Sequence, residues 1–152
     1  MSVQREKIYS ALFDLLTPMG PEGLGPQIFQ FVSRRPVPVS QLTPQMQPAL
    51  FMVESGEEWR RELRMPPIVL LFADLYVLQR FDSRSTTAPF IVINQLMDQL
   101  DDALEPLPGI GTQTLGGLCQ RAWVEGSVTE YFPASSSMQA MTVLRISIMT
   151  DH

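Results

Sequence analysis

One cysteine and one histidine in 152 residues leave the chain with little raw material for metal or nucleophilic chemistry. Cys119 has no partner for an internal disulfide, and His152, at the last position, cannot by itself build a histidine metal site or a catalytic dyad. Zinc modules, Cys/His proteases and most Ser-His hydrolases are set aside on those two counts, and no cofactor is expected. Charge is also scarce: 18% of residues are charged, below the ~25% of an ordinary soluble domain. Basic charge is scarcer still. The 11 Lys and Arg face 16 Asp and Glu, giving a net charge of -5 and a pI near 4.8. That is the opposite of the surplus that neutralises phosphates, so DNA is not expected to be gripped. No stretch approaches the ~18 apolar residues that span a bilayer, and Met1 to Lys7 lacks a signal-peptide core. No membrane association and a cytoplasmic site of assembly are therefore expected.

What is present is enough for a core. Hydrophobic residues make up 45% of the chain, nine of them methionine. A chain of this size hides about 70% of its extended surface on folding, so residues 1–152 are read as one domain. A surface short of charge and rich in methionine points to burial against partners.

From Val3 to Leu16, Ile8, Leu12 and Leu15 form one stripe with Tyr9, Phe13 and Leu16 beside it. That spacing predicts an amphipathic helix, with Ser2 as N-cap and Thr17-Pro18 as its end. Met19 to Pro26 reads as a loop leading to a strand over Ile28–Ser33, closed by Arg34-Arg35-Pro36. The proline-punctuated Pro36–Pro48 stretch reads as a surface loop. A short strand over Ala49–Glu54 and a charged excursion from Ser55 to Pro67 follow. Ile68 to Arg80 is apolar at nearly every position, which predicts a central strand covered on both faces. If Phe72 and Tyr76 emerge opposite the helices, a neighbouring subunit is an economical cover.

Ser83 to Pro89 reads as a polar turn with Pro89 at the start of a second helix, along which Ile93, Leu96, Leu100 and Leu104 recur until Pro106 and Pro108 stop it. Two strands, Cys119–Tyr131 and Gln139–Met149, are joined by a turn at Pro133 to Ser137. In the last, Ala140, Thr142, Leu144, Ile146 and Ile148 alternate with Met141, Val143, Arg145 and Ser147. The order α-β-β-β-α-β-β predicts an α+β fold, a mostly antiparallel sheet of four to five strands with two helices packed on one face.

Candidate chemistry is thin. Gly109-Ile-Gly111 to Gly117 resembles a phosphate cradle, yet no Lys-Ser/Thr follows it and it enters a strand, so glycines at positive φ are the better reading. Asp98, Asp101 and Asp102 share a helical face without an EF-hand loop and read as a solvated surface. Asp74 and Glu125 sit inside apolar strands, where pairing with Arg121 or Arg145 is favoured over acid-base work. Cys119 has no local activator and reads as a buried hydrophobe. An enzyme is therefore not expected. Arg34, Arg35, Glu57, Glu58, Trp59, Arg60, Arg61, Arg64 and Arg84 are the candidate interface residues, since arginine with tryptophan is the composition of interface anchors. The competing reading of these charges is an exposed salt-bridged loop.

The chain resembles the bacteriophage tail terminators, the tail-completion family that includes minor tail protein U of lambda-like phages. The resemblance lies in the early helix Glu6-Lys-Ile-Tyr-Ser-Ala-Leu-Phe13, in Gln47-Pro-Ala-Leu-Phe51 with Glu54 and Gly56, and in Pro67–Val77 with its Ala73-Asp-Leu-Tyr-Val core. It continues in Gln113-Thr-Leu-Gly-Gly-Leu118 and Ala122-Trp-Val-Glu-Gly126, so that it covers most of the chain by order and length. It implies a non-enzymatic ring, usually six copies, at the head-proximal end of a long phage tail. Such a ring caps the tail tube, stops its polymerisation and presents a surface for head-tail joining. The implied partners are further copies of the chain, the tail tube protein and a head-tail connector, with DNA passing through an acidic lumen without specific binding. Assembly would take place in the bacterial host cytoplasm, for an active phage, a prophage or a tail-derived particle. The alternative is an acidic homodimeric secretion chaperone that wraps an extended effector segment; it shares layout and charge, without a matching run of residues.

Overall fold

A computed structural model describes residues 3–20, 28–82, 91–104, 114–134 and 137–151. Helix α1, Arg5–Leu16, buries Ile8, Tyr9, Leu12 and Leu16, one apolar stripe at helical spacing. Its N-cap position is Gln4, which makes no side-chain capping bond; Ser2 lies outside the described residues. A 3-10 turn, Thr17–Met19, with Pro18 in it, follows the helix.

The strands are β1 (Phe31–Ser33), β2 (Ala49–Arg60) and β3 (Ile68–Asp82), then, after helix α2 (Ile91–Ala103), β4 (Arg121–Ala134) and β5 (Ser137–Asp151). They form one sheet in the order β1-β2-β3-β5-β4. β1 runs parallel to β2 and every other pair is antiparallel. This is the α+β architecture and element order expected from the sequence, with β3 in the middle.

Side-chain alternation gives the sheet two faces. Val69, Leu71, Ala73, Leu75 and Val77 of β3 share one face with Leu50 and Met52 of β2 and with Leu144, Ile146 and Ile148 of β5. Ile8, Leu12 and Leu16 of α1 and Leu96, Leu100 and Leu104 of the α2 segment pack in the same core. Two stripes of period 3.6 and one face of period 2 thus bury each other. No described helix is long and apolar enough to cross a membrane.

Three expectations are corrected. β1 begins at Phe31 and not at Ile28, because the N–H groups of Ile28 and Phe29 donate to the Met19 carbonyl, at 3.0 and 2.9 Å. That turns the chain back onto the end of α1 and sinks Phe29 completely into the core. Ser55–Arg60, expected as part of a charged loop, continues β2, with Ser55 at a bulge and Gly56–Arg60 paired with Ile68–Phe72 of β3. Pro36–Pro48 does more than cross the surface. It carries two 3-10 turns, Val39–Gln41 and Pro44–Met46, and packs Val37, Leu42 and Met46 against Phe51, Tyr76, Leu78 and Met141 on the face opposite the helices. Tyr76 is thereby covered in part by its own chain, and Phe72 has the Arg145 guanidinium 5.2 Å from its ring centre.

The β4–β5 hairpin also holds Pro133, Ala134 and Ser137 within its strands. The expected turn at Ser83 to Pro89, with Arg84, the Ile93 side chain, and the helix stop from Glu105 through the glycines to Gln113 lie outside the described residues.

Candidate interaction surface

β2 changes character along its length. Ala49–Met52 are buried, whereas Glu54–Arg60 and the turn to Pro66 are exposed. The change coincides with a break in register between Glu54 and Gly56, where Gly56 takes φ 137°. A Cβ there would meet nothing within 4 Å, so the left-handed backbone, and not crowding, accounts for glycine at the bulge. Beyond it, the outer half of β2 and the turn of residues 61–67 form an exposed arm along Ile68–Phe72 of β3, a stretch that β5 pairs on its other side and whose Val69 and Leu71 are buried.

The base of the arm is fastened to α1. Arg5 of α1 donates from Nε to Glu57 Oε2 at 2.5 Å and from Nη2 to Oε1 at 2.8 Å, and Trp59 Nε1 donates to the same Oε1 at 2.8 Å. Those bonds, Arg5 first, hold the Glu57 carboxyl down at about 2. The Arg5 and Arg61 guanidinium carbons stand 6.0 and 5.7 Å from the Trp59 ring centre, within cation–π range. Arg34, just after β1, is a hub. It donates to Glu6 at 2.7 and 3.3 Å, to Ser10 Oγ at 3.2 Å and to Glu54 at 2.6 Å. The Arg34 bonds, helped by Ser10, hold Glu6 below the usual carboxylate range.

The candidate residues therefore separate by role. Arg34 and Glu57 tie α1 to β1 and β2. Glu58 accepts from Arg60 Nε at 2.9 Å along the same strand. Arg35 is exposed, and its backbone N–H donates to Ser33 Oγ at 2.9 Å. Arg61 and Arg64 belong to the tip, where the Met65 N–H reaches the Glu62 carbonyl at 3.2 Å. Arg64 there takes φ 70°, a conformation that turns of this kind usually give to glycine or asparagine. Arg84 lies outside the described residues. Sequence reasoning missed Arg5 as the partner of Glu57 and Glu6 and Glu54 as the partners of Arg34; the signal was present in the alternating charges of Arg5-Glu6-Lys7, but only the fold brings α1 beside β2.

The second polar constellation lies on the open sheet face. Arg145 donates from Nε to buried Asp74 at 3.1 Å, the favoured pairing. Glu125 accepts instead from Ser147 Oγ at 2.9 Å and Trp123 Nε1 at 2.8 Å, while Arg121 stands 5.0 Å from the Trp123 ring centre. Asp74 and Glu125 line one open cleft of about 410 Å³ with Arg145 and Val128, but each is engaged by its own partners. A neighbouring apolar cleft of about 360 Å³ lies between Pro36, Pro38, Val53 and Tyr76.

The remaining candidates take ordinary structural places. Cys119 is buried, and burial pushes its thiol up to about 11, a poor nucleophile at neutral pH. Gly116 and Gly117 take φ 74° and 87° with open space around them. Asp98, Asp101 and Asp102 are exposed along α2. A scan against protein-family models finds no match, and neither does a search of the curated proteins.

Proposed function

We propose that this protein is a non-enzymatic assembly protein of a long-tailed phage: a ring-forming tail terminator that caps the tube, halts its growth and offers a surface for head-tail joining. The observation that carries the reading is the exposed outer half of β2 with its turn. The strand spends its first half in the core and its second half in water, where Trp59 and Arg60 lead into a turn that exposes Leu63 and Met65, a composition suited to subunit contact. The resemblance in residue order to the tail terminators supports the ring, and the arm is offered as one of its contacts on exposure and composition alone. The low charge and net -5 suit a lumen that lets DNA slide past. The partners in this reading are other copies of the chain, the tube protein and a connector.

The test is tail length. Tails assembled in the bacterial host without this chain are expected to carry tubes of uncontrolled length by electron microscopy, and restoring the chain returns them to one length. Tubes of unchanged length in its absence overturn the proposal. A tight dimer that binds an extended polypeptide segment would point to the secretion chaperone.

A further inference from the structure

Five large hydrophobic residues stand exposed among the described residues: Trp59, Leu63, Met65, Ile91 and Val128. Three of them belong to the arm, where Leu63 is 96% and Met65 58% exposed, and Arg61, Glu62 and Arg64 stand beside them in the turn, leaving the tip a net positive charge. A fourth, Ile91 at 44%, opens α2. From it the outward stripe of that helix runs through Gln95 and Asp98 to Asp102 at i+4, i+7 and i+11, with Asp101 beside them, all exposed. The two patches match in kind: apolar with cationic on the tip, apolar with anionic on the helix. Among the described residues of one chain, no ion pair joins Arg61 or Arg64 to an aspartate of α2.

We infer that the arm tip of one copy docks on the outward face of α2 of a second copy, Leu63 and Met65 against the Ile91 end and Arg61 and Arg64 against Asp98, Asp101 and Asp102. Charge complementarity selects this occupant: the chain is acidic overall, and its outward tip carries the cations that another copy's helix lacks. Because tip and helix are different patches, the contact is head-to-tail, and such contacts either close into a ring or run on as a filament. The inference rests on the ring reading and adds to it the surfaces by which copies meet.

Two variants test it, one with the tip reversed (Arg61→Glu, Arg64→Glu) and one with the helix reversed (Asp98→Arg, Asp102→Arg), each measured for native mass by light scattering over a concentration series. All four positions are exposed, so an unchanged far-ultraviolet circular dichroism spectrum is expected for both. Each variant alone should associate at least about tenfold more weakly than wild type, because like charges then face each other. Mixed in equal amounts, the two should recover the wild-type mass, since each tip then finds a helix of opposite sign. If a reversed variant misfolds, the neutral Arg64→Gln and Asp101→Asn carry the test with a smaller loss. Salt adds a further arm, with wild-type assembly weakening as sodium chloride rises. Variants that assemble like wild type, or a mixture that does not recover, would overturn this interface and leave the ring reading standing. A wild-type chain that stays monomeric or strictly dimeric at every concentration overturns head-to-tail docking in solution, and tail length then decides the ring reading separately.

Discussion

The two halves of β2 both pair with β3, the first half also with β1, and they are held in opposite ways. Ala49–Met52 are fixed by side-chain burial on both faces of the sheet. Glu54–Arg60 are fixed by backbone pairing with β3 and by the ion pairs of Glu57 with Arg5 of α1 and of Glu54 with Arg34, with their side chains exposed. A ladder of backbone bonds on one side thus suffices to hold a polar edge segment against a buried core strand. The first half should therefore govern stability and the second half association.

The largest expected effect tests the buried half. Leu50→Ala removes a fully buried side chain and should cost about 2–5 kcal/mol, lowering the melting temperature by roughly 5–15 °C in a thermal scan. A shift under about 2 °C would break the comparison at its firmest point. Next is the fastening between the halves: Arg34→Ala releases both Glu6 and Glu54 and should lower the melting temperature by about 2–4 °C. The effect is modest because the two carboxylate side chains keep 74% and 49% of their exposure, so water screens them.

Acid should loosen the arm before the core. Glu57 is held down at about 2 and Glu6 is also lowered, whereas a carboxylate in the unfolded chain titrates near ~4.3. Their contribution is complete above the unfolded value and is lost as pH falls through the folded one. The melting-temperature difference between wild type and Glu57→Gln should thus be full at pH 6, shrink steadily as pH falls toward 2 and vanish about one unit below that. A difference as large at pH 2 as at pH 6 would show that Glu57 acts by something other than its charge. Base acts on the core with the opposite sign. Burial first of all pushes Tyr9 to about 12 and Cys119 to about 11, so stability is complete below their unfolded values and lost as pH rises through the folded ones. Cys119 should accordingly resist a thiol reagent at pH 8 until denaturant is added; rapid labelling of the native protein would contradict its burial. The smallest effect belongs to the tip: Leu63→Ala, at 96% exposure, should leave the melting temperature of the unassembled chain within about 2 °C of wild type.

Legibility followed the same division. The helical stripe of Ile8, Leu12 and Leu16 and the alternation of β5 could be read from the chain because periodicity is local. So could the central, two-sided β3, whose run of apolar residues has no wet face. Ser55–Arg60 was misread for the converse reason: charged residues on an exposed arm carry no period that marks a strand, and pairing with Ile68–Phe72 is a property of the partner. Phe29 likewise reads as strand by residue type, but two bonds to Met19 decide against it. At the candidate surface, residue types pointed to arginine and tryptophan. They could not distinguish Arg34, enclosed by Glu6, Ser10 and Glu54, from Arg64, which projects at the tip.

The sequence by itself determined the class of fold, the element order, the faces of the helices and the residue types available for contact, because hydrophobic spacing and backbone propensity act over a few neighbours. The tertiary structure alone decided which cations became internal fasteners and which stayed outward, which carboxylate took Arg145, and that Pro36–Pro48 would shelter Tyr76. Those outcomes depend on distances between residues 20 to 71 positions apart, and such separations are set by the packing of helices on a sheet and by no local rule.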